Sequence, residues 1–180
     1  ATTLLSHIGT QADLLSLKPA RLSAKQLADM ALAAHFARLS DQLETQSAGP
    51  QALYFARLAL WVAPTSEFAK MTLAKRLDAA KDASAADALF GSISPQSLQW
   101  SWAMREHATM LNGRGDKAGA LALVRKARAK APAADDLSLL EAQLLDDAGK
   151  YPDAIAVYRT IIAAADNRAT SARQRAVYRI

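Results

Sequence analysis

Acid–base chemistry needs ionisable side chains at short, fixed spacing, and two pairs of adjacent carboxylates come closest, Asp135-Asp136 and Asp146-Asp147. Asp135 and Asp136 open a helical pattern, where negative charge meets the positive end of the helix dipole. Asp146 and Asp147 fall near its end and read as solvated charges. The histidines His7, His35 and His107 each stand alone, without a second ligand at metal-binding spacing. His107 lies at a packing position, so a buried or half-buried ring is expected. There is no cysteine, which excludes a disulfide framework and a thiolate zinc site. Asn112-Gly113-Arg114-Gly115 has two glycines but lacks the Lys and Ser/Thr of a phosphate loop, and it reads as a helix-ending turn. No nucleophile elbow or dinucleotide fingerprint occurs. The residues therefore predict no catalytic site, no metal and no cofactor, and a protein that is not an enzyme.

The elements that would position any site are helices. Hydrophobic residues make up 51% of the 180, but 42 are alanine, the strongest helix former, while Val and Ile together total ten. The longest apolar runs, such as Leu53–Ala63, fall short of the ~20 residues a bilayer requires, and Arg57 interrupts that one. A first apolar segment, Leu4–Leu17, ends at Lys18-Pro19. Ser23 caps the next helix, with Gln26 three residues on as in a capping box, and that helix runs to about Gln46. Gly49-Pro50 breaks it. Further helices are predicted at Gln51–Val62, Ser66–Ala80, Ala83–Phe90, Ser97–Leu111, Asp116–Lys130, Asp135–Asp147 and Tyr151–Ala165, and a last one begins at Ala172. Helices of this length with such short connections form antiparallel hairpins. The opening Ala1 and a final segment that stops inside a helical pattern predict a piece of a longer chain.

The hairpins recur with a period of 34 residues. With Ser101 as position 1, Ala108 falls at position 8, Leu111 at 11, Gly115 at 15, Ala120 at 20, Ala127 at 27 and Pro132 at 32. One period on, Ala142, Leu145, Gly149, Ala154, Tyr158 and Ile161 take positions 8, 11, 15, 20, 24 and 27. One period back lie Ala74, Leu77, Ala86, Phe90 and Ile93, and two periods back lie Ala52, Ala59 and Pro64. Small residues at 8 and 20 let two helices cross closely. Glycine at 15 ends the first helix in a left-handed conformation, and proline at 32 stops the second.

On these residues, 101–168 resemble two tetratricopeptide repeats. The stretch LLEAQLLDDAGKYPDAIAVYRTII, Leu139–Ile162, is close to the family pattern, including Tyr151 at position 17. Residues 33–100 resemble two more in the same frame, with Ser40 at position 8 and with Ser47 and Lys81 in place of the glycine. The resemblance implies an all-α, right-handed superhelical solenoid of antiparallel hairpins. The expected division is an extension or cap at 1–32, units at 33–66, 67–100, 101–134 and 135–168, and the start of a further helix at 169–180. Residues 1–32 read either as a capping pair or as the tail of an upstream unit. The departures at positions 8 and 15 predict that the first two hairpins cross differently from the family average. The layout is also similar to mid-sections of large exported repeat proteins of Gram-negative envelopes, which implies a periplasmic or envelope location.

In the family, first helices line a concave groove through positions 2, 5, 9 and 12. The resemblance thus implies a partner-binding groove of Phe68, Met71, Lys75, Trp102, Arg105, Asn112, Leu139 and Gln143, with Asp78, Thr109, Asp136 and Asp146 at the remaining positions. The corresponding residues of the first unit are Ala34, Ala37, Asp41 and Glu44. Phe68, Met71, Trp102 and Arg105 have the composition of an interface hot spot. The other reading is that Phe68 and Trp102 fill the seam between neighbouring units. Trp100 and Trp102 lie on opposite sides of one helix, so only one faces inward. No unit has the Lys and Asn at positions 5 and 9 that clamp a chaperone's C-terminal carboxylate. The expected partner is a protein or peptide, with self-association through repeat ends as a further possibility. The net charge of +5, with Arg168, Arg173, Arg175 and Arg179 near the end, gives an alternative: a basic module for nucleic acid or an anionic surface. A structural spacer in a larger envelope protein is the third reading.

Overall fold

The computed structural model describes residues 23–131 and 135–164. The segments Leu4–Leu17 and Ala172–Ile180, His7 and the arginines from Arg168 onward lie outside the described residues. Eight helices and no strand occur among those described: α1 (Ala24–Thr45), α2 (Gly49–Val62), α3 (Glu67–Ala79), α4 (Ala83–Gly91), α5 (Trp100–Gly113), α6 (Lys117–Lys130), α7 (Asp135–Asp147) and α8 (Tyr151–Ala164). None of these helices is long and apolar enough to cross a membrane. They fall into two compact units that divide between Ala103 and Met104.

The caps follow the sequence closely. Ser23 Oγ accepts from the Gln26 N–H at 3.1 Å while Gln26 Oε1 accepts from the Ser23 N–H at 2.8 Å, so the capping box is complete. Ser66, Asp82 and Asp116 accept from the N–H three residues on and start α3, α4 and α6. Pro50 does not break the chain after Gly49 but sits in the first turn of α2, where its missing N–H costs nothing.

Helix ends recur at 45, 79, 113 and 147, and the next helices start at 49, 83, 117 and 151, each set 34 residues apart. Every one of these four breaks has the same hydrogen bonding. The carbonyls of Leu43, Leu77, Leu111 and Leu145 accept from the N–H five residues later at 2.9 Å. The residue between, at position 15, has positive φ in all four: 59° at Ser47, 66° at Lys81, 90° at Gly115 and 72° at Gly149. The Schellman turn therefore forms without glycine at Ser47 and Lys81, because its two backbone hydrogen bonds outweigh the left-handed strain of an L-residue.

The small residues are where the helices touch. In the unit up to Ala103, α1 pairs with α2 and α3 with α4, while α2 and α1 both pack on α3. Ala33, Ala37, Ala59, Ala63 and Ala69 form one buried cluster there, flanked by Phe36, Leu60, Val62 and Phe68. The other face of α2 leaves Tyr54 and Trp61 exposed. In the unit from Met104, Ala108 and Ala120 bury against Val124 and Leu144, and Ala142 and Ala154 bury with Leu139, Leu145, Tyr158 and Ile161.

One helix starts later than its pattern predicts. Helix α5 begins at Trp100 rather than Ser97, because the Ser97 hydroxyl donates to Glu67 at the start of α3 and accepts from the Gln99 N–H at 3.0 Å. Lys70 Nζ reaches the Ser92 carbonyl at 3.4 Å and adds a second tie between α3 and this turn. Burial pushes the Glu67 carboxyl above its ordinary range, against the lowering effects of the Ser94 backbone N–H and the Lys70 ammonium.

Candidate partner-binding site

In the unit from Met104, α5 and α7 enclose a hollow of about 260 Å³ lined by Arg105, Glu106, Thr109, Asp136, Leu139, Leu140 and Gln143. Arg105 and Thr109 are one helical turn apart, as are Asp136 and Leu140, so each helix offers one stripe of side chains. Arg105 Nη2 donates to Glu106 Oε1 at 2.9 Å, which fixes the guanidinium at the rim while leaving other N–H donors in its fork. Thr109 donates to the Arg105 carbonyl at 2.9 Å, so its hydroxyl proton is used within the helix. Leu139 forms the apolar floor: it is 4% exposed and belongs to the core with Ala142 and Leu145. Asp136, Leu140 and Gln143 are half-buried around it. The arrangement is an apolar floor with a cationic, an acidic and an amide side chain at its edge, suited to holding a chain segment by its side chains and peptide groups.

The structure thus brings together Arg105, Leu139 and Gln143 of the expected groove residues, with Thr109 and Asp136 beside them. Glu106 and Leu140 also line the hollow and are absent from the residues the family pattern implies. Each immediately follows a position-5 residue, and a helix face wider than a single stripe would have included both. Asn112 lies half-buried farther along α5, with its Oδ1 buried and without a hydrogen-bond partner.

The remaining groove residues belong to the unit up to Ala103. The rings of Phe68 and Trp102 stack with centroids 6.0 Å apart and planes 27° apart. Phe68 also packs against the alanine cluster, as a seam-filling residue would. Trp100 is the inward-facing tryptophan, 7% exposed. Met71 is 2% exposed and so is interior rather than presented to a visitor, because α1, α2 and α4 all pack on α3 and bury more of it than one stripe. Lys75 is half-buried. The acidic pair Asp41 and Glu44 is engaged within the fold: Arg76, itself buried, reaches Asp41 at 2.8 Å and Glu44 at 2.9 Å and ties α3 to α1.

His35 is exposed, with its ring 6.3 Å from that of Phe36, and His107 is half-buried. Among the described residues no three His, Asp or Glu side chains gather as a metal site would need. Asp147 uses its backbone carbonyl to accept from Lys117 Nζ at 2.9 Å.

The chain matches no protein-family model and no curated protein. Among solved structures it is similar to a thermophilic TPR protein of Thermus thermophilus, with a TM-score of 0.54 and 20% identity over 73% of each chain. The fold is of the tetratricopeptide type. That likeness carries the architecture, whose helix breaks the 34-residue frame accounts for one by one. In a tetratricopeptide-type fold the face formed by first helices is the one that Arg105, Thr109, Asp136, Leu139 and Gln143 occupy here, on α5 and α7.

Proposed function

We propose that this chain is a non-enzymatic interaction scaffold that holds a peptide, a helix or a segment of a partner domain in the hollow between α5 and α7. The observation that carries the reading is the convergence of Arg105, Thr109, Asp136, Leu139 and Gln143, five residues at groove positions of the repeat frame, around one open cavity. Stacked helix hairpins use such faces for binding, and affinity there comes from a few anchors. Leu140, half-buried at the rim, supplies apolar contact, and Arg105 and Gln143 supply directional hydrogen bonds to backbone or carboxylate oxygens.

The test is selection of peptides from a displayed library on the intact chain, followed by measurement of their affinity for Arg105→Ala, Gln143→Ala and the double variant. The selected peptides are expected to lose affinity tenfold or more in the double variant, with the helical circular dichroism unchanged. Peptides that bind the double variant as tightly as the parent would place the binding surface elsewhere.

A further inference from the structure

A second cavity lies on α6 and α7, away from the hollow between α5 and α7. It has a volume of about 370 Å³ and is lined by Arg125, Arg128, Ala129 and Glu141. Glu141 sits with its side chain only 7% exposed, and its carboxylate accepts from Arg125 Nε at 2.9 Å and from Arg128 Nη1. These hydrogen bonds, together with the two positive charges, hold the carboxyl below its ordinary range even though burial alone would raise it. The carboxylate is therefore a fixed anion, and it locks two long, flexible side chains in place.

The donors left over point to a ligand. Each guanidinium has five N–H groups, and Glu141 takes one from each. The Arg128 side chain is 31% exposed and lines the same cavity. The Arg125 side chain is more than half exposed, so its outer fork is free to meet a visitor. Two guanidinium charges against one carboxylate leave a single positive charge, and α6 carries no acidic residue along its length. A carboxylate from outside is the complement of this excess, and its two oxygens match the planar fork of an arginine.

We propose that Arg125 and Arg128, set in position by Glu141, form a notch that accepts an acidic side chain of a protein or peptide partner. It uses the second helix of a hairpin and the α7 face toward it, so it stands whether or not the hollow between α5 and α7 binds anything. Glu141 is a positioning residue, and Arg125 and Arg128 make the contact.

The experiment follows the Arg Nε–H resonances of the intact chain by NMR while capped hexaglutamate is added at constant ionic strength, with capped hexaglutamine and inorganic phosphate as parallel titrants. Saturable shifts of the Arg125 and Arg128 signals by hexaglutamate alone are expected. Affinity should fall tenfold or more in Arg125→Gln and at least threefold in Arg125→Lys, which keeps the charge but loses the fork. It should change less than twofold in Arg57→Ala, which removes an exposed arginine of α2. Absence of shifts at millimolar hexaglutamate, full affinity in both Arg125 variants, or equal binding of phosphate would each overturn the proposal. Arg125→Lys keeps the test decisive if Arg125→Gln does not fold.

Discussion

Ser40 occupies position 8 of the repeat frame, where the other three hairpins carry Ala74, Ala108 and Ala142. It is fully buried, and its hydroxyl has no hydrogen-bond partner. A buried hydroxyl left unpaired costs on the order of 1–3 kcal/mol, so Ser40→Ala should raise stability by about 1 kcal/mol, read as a higher urea midpoint. A lower midpoint would mean that the hydroxyl has a partner after all. Glu141 gives a pH-dependent case. Its folded pKa is lowered, so its contribution is complete above the ordinary carboxylate pKa of roughly 4.3 and disappears as pH falls through the lower folded value. Glu141→Gln should cost about 2 kcal/mol at pH 7, and its deficit relative to the parent should shrink in acid. A deficit independent of pH would remove the ion pair from the account. Individual side chains were unevenly legible in the sequence. The alanines at positions 8 and 20 were readable because a larger group cannot fit where helices cross. The pairing of Glu141 with Arg125 and Arg128 joins residues 16 and 13 apart on different helices, a spacing no local pattern encodes.

At the scale of elements, the four helix breaks share one hydrogen-bonding scheme although two of them lack glycine. An L-residue in the left-handed region is strained by about 1–2 kcal/mol, while glycine loses roughly 0.5–1 kcal/mol through the greater freedom of the unfolded chain. Ser47→Gly and Lys81→Gly should each stabilise the chain by about 0.5–1 kcal/mol, measurable as a shift in thermal midpoint. Destabilisation by either change would show that those turns are not left-handed. Helix limits were legible wherever a local device sets them: the Ser23 capping box, the Ser66, Asp82 and Asp116 caps, and the glycines at 115 and 149. The start of α5 was not, because Ser97 is held by Glu67, thirty residues earlier in the chain. The interior position of Met71 was equally hidden, since it depends on how many neighbours pack on α3 rather than on the pattern within that helix.

At the scale of the molecule, the fold is a series of hairpins written in one 34-residue frame, and stability in such arrays is a sum over hairpins and their neighbours. Removal of residues 67–100 joins Ser66 to Ser101 in frame, with Ser66 placed to cap the helix that follows. That deletion should give a folded, helical chain of lower stability. Removal of residues 67–99 breaks the frame and should give a chain with much weaker thermal cooperativity. Equal behaviour of the two deletions would deny the period its structural meaning. The most direct test of the binding site is the map of amide shifts that a library-selected peptide induces in the isotope-labelled chain. The largest changes are predicted on α5 at residues 105–109 and on α7 at residues 136–143. Changes confined to the outer faces of α2 or α8, with those two stretches silent, would contradict it.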